Sequence, residues 1–400
     1  HSTESAMLKV QDDVLQALDK KKGIVLVLLD LSAAFDTVDH TVLIDRLNKR
    51  LGLKGKALEW FRSYLTQRSQ CVSINGTKSD IWELLFGVPQ GSVLGPILFT
   101  IYTLPLGDIF QKHQIGYHLY ADDTQIYLSC EPNSISNDIS RIEECIKEVR
   151  SWMAANFLCL NDSKTEVLLL GSKGFHKKTG SISIKIGNHT VSSSTHARNV
   201  GAIMDKEMNM QLQINNTCKS AWFALRKISL IRQYLSRETC EKLVHAFISS
   251  KLDFMNCLLY GLPNIHLNKL QRVQNAAARL ITGSKMRDHI TPILTKLHWL
   301  PIKQRISYKI LLFTYKSIHG KAPQYLCDLI QPVTHTRTLR SCSRHLLKVP
   351  KSNSVTYGDR CFSVAGPVLW NNLPEHIQNA DSLEIFKKCI KTHLFREAFY

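Results

Sequence analysis

Tyr117-His118-Leu119-Tyr120-Ala121-Asp122-Asp123-Thr124-Gln125-Ile126-Tyr127-Leu128 reads as two short strands, 117–120 and 125–128, flanking an Ala-Asp-Asp-Thr turn. Upstream, Ile24-Val-Leu-Val-Leu-Leu-Asp30 is a continuous apolar run, β-branched at three positions and closed by a carboxylate. Such a run predicts a strand buried on both faces. A strand end and a hairpin tip from adjacent strands of one sheet can present side chains to a shared point. Asp30, Asp122 and Asp123 would then form one cluster. Clustered carboxylates repel and persist when cations neutralise them. Mg²⁺ suits such a site, because it is bound through a few carboxylates plus substrate phosphates, and two such ions can clamp an in-line phosphoryl displacement. Adjacent Asp residues in a turn are ordinarily solvated turn formers. With 12 Tyr and 19 Asp in the chain, however, a chance Tyr-x-Asp-Asp is expected only about 0.03 times. Its place after a strand-ending Asp and the loop Gly87-Val-Pro-Gln90-Gly91-Ser-Val-Leu-Gly-Pro96 decides for chemistry.

Working outward, Met7, Val10, Val14 and Leu18 recur at helical spacing and predict a helix over 4–19. Helical character follows over 39–50 and 57–65, and Asn75-Gly76 carries a hairpin-turn signature. An apolar helix runs to about 106, another spans 134–157, and a strand covers 166–170. Strands and helices alternate without a long parallel βαβ series, which predicts an α+β fold. Residues 171–180 (GSKGFHKKTG) read as a basic, glycine-rich connector, and a hairpin follows over 182–191. Beyond it the pattern is almost wholly helical, at 211–235, 237–258, 266–282 and 305–319, with Gly283 and Gly320 at C′ positions. No internal repeat or low-complexity segment is present.

The chain has 400 residues, 44% apolar and 21% charged, which suits two or three domains. No apolar run approaches the roughly 20 residues that span a bilayer, so no membrane partner is expected. Eleven scattered Cys without a Cys-x-x-Cys read as free thiols of a reducing compartment. Cys342-x-x-His345 is the one weak metal pattern. Residues 1–170 hold 17 Lys and Arg against 21 Asp and Glu, a net of −4; residues 171–400 hold 34 against 12, a net of +22. A polyanion is the natural partner of the C-terminal part, because each phosphate neutralised releases counterions.

Val27-Leu-Leu-Asp30-Leu31-Ser-Ala33-Ala34-Phe35-Asp-Thr-Val-Asp39-His40, the loop 87–96 and Tyr120-Ala-Asp-Asp123 resemble motifs A, B and C of reverse transcriptases, in the wording of non-LTR (LINE-type) retrotransposons of the jockey-like branch. Asn161-Asp-Ser-Lys164-Thr-Glu166 resembles motif D and Asn199-Val-Gly201 motif E, the primer grip. Leu270-Gln-Arg272-Val-Gln-Asn-Ala-Ala-Ala-Arg279-Leu280, Leu297-His-Trp-Leu-Pro301 and Ala365-Gly-Pro-Val-Leu-Trp-Asn371 look like thumb and C-terminal segments of the same elements.

The resemblance implies a right-hand polymerase: partial fingers and palm with an antiparallel sheet over 1–195, a helical thumb over 196–285, and a mainly helical, basic C-terminal domain over 286–400. Asp30, Asp122 and Asp123 would hold two Mg²⁺ ions, with Mn²⁺ as a substitute and the Leu31 carbonyl as a backbone ligand. Ala33 and Ala34 would offer N–H groups to the triphosphate, and Gln90 and Gly91 would lie beneath the incoming nucleotide. Phe35 would gate against the ribose 2′-hydroxyl, and Lys164 would protonate the leaving pyrophosphate. Gly201 would grip the primer. Lys269, Arg272 and Arg279, at intervals of three and seven on one helix, would face nucleic acid. The implied partners are an RNA template, a DNA primer and deoxynucleotide triphosphates, and the implied location is the cytoplasm and nucleus.

Relatives usually carry Phe-Arg-Pro-Gly just before the His-Ser-Thr-Glu that opens this chain. The start therefore reads as a cut edge within a longer polyprotein, with most of the fingers upstream. Two other readings stand beside this one. One is another palm polymerase, such as an intron maturase or an RNA-dependent RNA polymerase, against which the bulky Phe35 speaks. The other is a non-enzymatic nucleic-acid-binding relic of an element.

Overall fold

The computed structural model describes residues 2–32, 34–89, 91–333 and 346–400 and is α+β. Cys342 and His345 lie outside the described residues. The chain forms two compact units: residues 23–197, and residues 1–22 together with 198–400. Among the described residues no helix is long and apolar enough to cross a membrane.

The first helix, α1 (Thr3–Asp19), belongs to the second of these units. Its start is fixed by a capping box in which Ser2 and Ser5 satisfy each other's backbone N–H groups. Strand β1 (Gly23–Leu29) opens the 23–197 unit, followed by helices α2 (His40–Lys49) and α3 (Gly95–Thr103). A hairpin of β2 (Gly116–Tyr120) and β3 (Asp123–Cys130) comes next, then helix α4 (Ile135–Ala155) and strand β4 (Glu166–Leu170). The sheet has the order β4-β1-β3-β2 and is antiparallel throughout. The apolar run predicted to be a strand is a central one, with Leu26 opposite both Leu168 and Tyr127. Val25, Val27 and Leu29 share a core with Leu43 and Leu47 of α2, Phe99 and Tyr102 of α3, and Ile142, Val149 and Met153 of α4. Each such side chain contributes roughly 1.5–3 kcal/mol on burial. Asp39 caps α2 by accepting from Val42 N–H at 2.8 Å. One turn later Arg46 lies over the rings of Tyr102 (4.4 Å) and Trp152 (5.0 Å) and donates to Asn156, tying three helices across one face.

In the second unit, α5 (Gln211–Ile231), α6 (Asn264–Thr282), α7 (Ile302–Ile318), α8 (Phe362–Asn371) and α9 (Leu383–Phe399) carry most of the mass. Tyr315 of α7 stacks on Phe386 of α9 at 4.3 Å, with Trp370 of α8 beside them. Helix α1 is built into this unit: Asp12 accepts from Ser363 N–H and Oγ–H at 2.9 Å each, Gln11 donates to Leu258 O at 2.9 Å, and Glu4 pairs with Lys309 at 2.8 Å. The compact units therefore run differently from the expected domains. Residues 1–22 group with the C-terminal helices, and 198–400 form one unit across the expected division near 285. These are contacts between residues hundreds apart in sequence, which a local pattern does not carry.

Two local expectations are corrected. The connector at 171–180 holds a helix, Lys173–Thr179, capped by Ser172, which accepts from Phe175 N–H at 3.2 Å. Its anchor is the buried Phe175 ring, which fills the space a Cβ on Gly23 or Gly171 would take. The expected helix 237–258 is broken: Arg237–Val244 is α-helical, His245–Ser249 winds as a π turn, and Met255 reverses the backbone at φ +52°.

Candidate active site

β1 ends at Leu29, opposite Thr124, so Asp30 emerges beside Asp123. Tyr120 pairs with Asp123 across a two-residue turn made of Ala121 and Asp122. Ala121 has φ +52°, a left-handed conformation that costs an L-residue roughly 1–2 kcal/mol. The two-residue turn seats the Asp pair at the end of the β2–β3 hairpin. Asp30 is held from its other side, where Asn161 N–H donates to its carbonyl at 2.8 Å. Leu31, next along, is buried and pairs with Leu160.

The carboxylates act on one another. The Asp123 carboxyl is pushed above the usual range by burial first, then by Asp122 and Asp30. Asp30 Oδ2 is cut off from solvent without a hydrogen-bond partner, and Lys164 Nζ stands 3.7 Å from it. Asp122, at the tip, is exposed. Among the described residues no group of three Asp, Glu, His or Cys side chains is drawn tightly enough to enclose a metal ion.

A second wall comes from two loops docked back to back. Val88 N–H donates to Phe35 O at 2.9 Å, Gly87 N–H to Val38 O at 2.8 Å, and His40 Nε2 lies 2.8 Å from Gly87 O. Gly87 is required here, since φ is +89° and a Cβ would lie 3.1 Å from the Asp36 Cα and carbonyl oxygen. The half-buried Phe35 ring packs on Phe99, centroids 4.7 Å apart, and Ala34 is buried. Gly91 is exposed at φ +76°. Ala33 and Gln90 lie outside the described residues. Beside the docked loops opens a cavity of about 680 Å³, lined by Asp36, His40, Arg68, Phe86 and Pro89 among others.

Lys164 ends a 3₁₀ turn, Asp162–Lys164, whose Asp162 is ion-paired to Arg150 of α4. Arg150 and the Asn161 backbone contact were not singled out in the sequence. The only signal was the adjacency of Asn161 and Asp162 to Lys164, and a partner 12 residues upstream on a helix gives no local mark. The remaining expected residues belong to the other unit. Gly201 occupies a turn after Val200, both with positive φ. On α6, Arg272 is exposed, whereas Lys269 donates to Asn215 at 3.0 Å and Arg279 to Asp288 O at 3.1 Å.

Residues 2–204 match the family model described as reverse transcriptase (RNA-dependent DNA polymerase). This chain belongs to the reverse transcriptase family. It is 26% identical over 295 residues to the RNA-directed DNA polymerase from mobile element jockey of Drosophila melanogaster, covering 71% of this chain and 31% of that protein. To the "Probable RNA-directed DNA polymerase from transposon BS" of the same organism it is 25% identical, over 77% of this chain and 34% of the relative. The chain thus spans about a third of the curated relatives it matches. Among solved structures, telomerase from Candida albicans in complex with a TWJ fragment of telomeric RNA superposes at a TM-score of 0.38. That match has 14% identity over 74% of this chain and 51% of that one, too loose to carry an argument. The matched segment of this reverse transcriptase contains every carboxylate of the site. Reverse transcriptases use divalent metal ions, and the site fits one: its donors are hard oxygens, one of them a buried orphan, and Asp122 and Asp30 raise the proton affinity of Asp123.

Proposed function

We propose that this chain is the catalytic core of an RNA-directed DNA polymerase of a non-LTR retrotransposon, extending a primer 3′-hydroxyl with deoxynucleotides on an RNA template. The observation that carries the reading is the shared field of Asp30, Asp122 and Asp123 at the end of β1 and the tip of the β2–β3 hairpin. These carboxylates, with the Leu31 carbonyl, would hold two Mg²⁺ ions, for which Mn²⁺ can substitute. Bound there, such ions activate the attacking hydroxyl and stabilise charge on the leaving pyrophosphate. Ala34 and Gly91, and Ala33 and Gln90 as the resemblance implies, would bound the place of the incoming nucleotide. Phe35, wedged on Phe99, excludes a 2′-hydroxyl by bulk. Lys164, facing Asp30 across 3.7 Å, is placed to give a proton to the pyrophosphate. Gly201, Lys269, Arg272 and Arg279 are the proposed contacts to the primer–template duplex.

The test is primer extension on an RNA template by an active polymerase containing this chain, with and without divalent cation. Asp30→Asn and Asp123→Asn should each abolish extension while thermal unfolding stays cooperative. Extension that survives both substitutions would end the assignment. Nucleic-acid binding without any extension by the parent would favour a binding relic instead.

A further inference from the structure

Two cations, Arg150 and Lys164, and two carboxylates, Asp162 and Asp30, meet at the motif D turn, and the structure sorts them into pairs. Arg150 Nη1 meets Asp162 Oδ1, and Lys164 Nζ faces Asp30 Oδ2. The alternative partner of Lys164 is near at hand, because Asp162 begins the same 3₁₀ turn that Lys164 ends. Asp162 is largely enclosed, its side chain 16% exposed, while Lys164 is 69% exposed and free to swing. A long exposed ammonium settles on whichever nearby carboxylate is unpaired, since surface pairs differ by about 1 kcal/mol or less.

The surroundings hold Arg150 in place for this purpose. Its guanidinium passes over Gly187 at the tip of the 183–192 hairpin, where a Cβ would come within 2.9 Å of Arg150 Cζ and φ is +59°. Glu143, two turns earlier on α4, accepts from Lys185 N–H at 2.7 Å and pins that hairpin to the helix. The turn itself does not depend on Arg150. Asn161 N–H donates to Asp30 O at 2.8 Å, and Asn161 O accepts from Thr165 N–H at 3.1 Å and from its hydroxyl at 3.0 Å.

We infer that Arg150 is a positioning residue that occupies Asp162 and so leaves Lys164 directed at Asp30 and the reacting phosphates. This rests on the polymerase reading and on Lys164 acting as the proton donor. Arg150 pairs with Asp162 and acts through the lysine.

Four variants of an active polymerase containing this chain test it by single-nucleotide extension: Arg150→Ala, Arg150→Lys, Asp162→Asn and Arg150→Ala/Asp162→Asn. Arg150→Ala should lower kcat by up to about fivefold, the population shift that one surface ion pair can impose, with KM for the nucleotide little changed. Arg150→Lys and Asp162→Asn should stay near the parent. The double variant should recover most of the loss, because the competing carboxylate has gone. A merely structural Arg150 predicts the reverse: Asp162→Asn as slow as Arg150→Ala, and no recovery in the double variant. Either result overturns the inference, as does an Arg150→Ala enzyme with parental kcat. If the parent extends primers but Lys164→Ala is at full rate, the proton-donor reading falls with it. An inactive parent strikes the polymerase reading itself, so the failures are told apart.

Discussion

Gly87→Ala should destabilise the 23–197 unit far more than Gly91→Ala, although both glycines have positive φ. At Gly91, φ is +76° and nothing lies within 4 Å of the added Cβ, so the penalty is backbone strain alone, roughly 1–2 kcal/mol. At Gly87, φ is +89° and the Cβ would meet Asp36 Cα at 3.1 Å, Asp36 O at 3.1 Å and Phe35 O at 3.2 Å. All three are backbone atoms, which cannot rotate away, and carbon contacts normally settle at roughly 3.5–4.0 Å. Overpacking of this kind adds roughly 1–3 kcal/mol, giving about 2–5 kcal/mol for Gly87→Ala. The loop can relieve it only by giving up the 2.8 Å bond to Val38 O and the 2.9 Å bond from Val88 to Phe35. Either way the wall beside Phe35 is displaced. Calorimetry of the two variants measures the difference; at roughly 2–4 °C per kcal/mol for a unit of this size, Gly87→Ala should melt at least about 4 °C below parent. Equal melting temperatures for the two variants would refute the close-packing argument. A parental melting temperature for Gly87→Ala would refute the loop geometry as well.

Phe35→Ala in an active polymerase should raise ribonucleotide incorporation with the Asp cluster intact; unchanged discrimination between ribo- and deoxynucleotides would make Phe35 a packing residue against Phe99. Ala121→Gly should raise stability by about 0.5–1 kcal/mol, as the positive φ is relieved, and a lower denaturation midpoint would show the turn is not strained. Asp123 has a raised pKa in the fold, so it binds more protons folded than unfolded. Without divalent cation, stability should therefore fall as pH rises from the ordinary Asp value through the raised one; Asp123→Asn should flatten that segment of a melting-temperature profile, and an unaltered profile would count against the shared field. Replacing Lys269, Arg272 and Arg279 with Ala should reduce the salt slope of nucleic-acid binding by up to about three units. Because Lys269 and Arg279 already bond within their own unit, the fall should lie nearer the roughly one unit expected of Arg272 alone, and a parental slope for the triple variant would place the grip elsewhere.

The parts legible in sequence were those fixed by neighbours along the chain. The β1 run needed only its continuous apolarity to be placed as a buried strand. Asn75-Gly76 turned as a hairpin with φ +50° and +86°, as its residue types demand. Gly283 and Gly320 ended their helices with φ +69° and +62°. The failures were long-range. Glycines at 171, 174 and 180 suggested a connector, yet two of them mark where the Phe175 helix packs or stops. Helix α1 looked like part of the unit it precedes, but its buried Asp12 and Gln11 bond to residues 363 and 258. At the site, the placement of the three Asp at a strand end and a hairpin turn was legible from type and order. The Gly87 approach to Asp36, the strain at Ala121 and the Arg150 pairing were not, because each depends on which segments the fold brings together.

The charge of the chain takes a clearer meaning from the unit boundaries than from a division at residue 170. Residues 23–197 hold 17 Lys and Arg against 17 Asp and Glu, a net of zero, whereas residues 1–22 with 198–400 hold 34 against 16, a net of +18. The whole surplus sits in the helical unit. The basic residues of 171–197, which seemed to belong with it, instead balance the acidic palm sequence. Neutrality of the 23–197 unit is an average over a divided surface: Arg50 pairs with Asp108, Lys112 with Glu148 and Arg150 with Asp162. At the end of β1, Lys164 stands 3.7 Å from Asp30. A local deficit of positive charge at the end of β1 is what a site for divalent cations requires. A diffuse surplus on another unit is what a phosphate backbone requires, since phosphate contacts position a duplex without reading it. On the proposed reading, the two electrostatic tasks of a polymerase would fall to separate units, the basic one formed by residues 1–22 and 198–400.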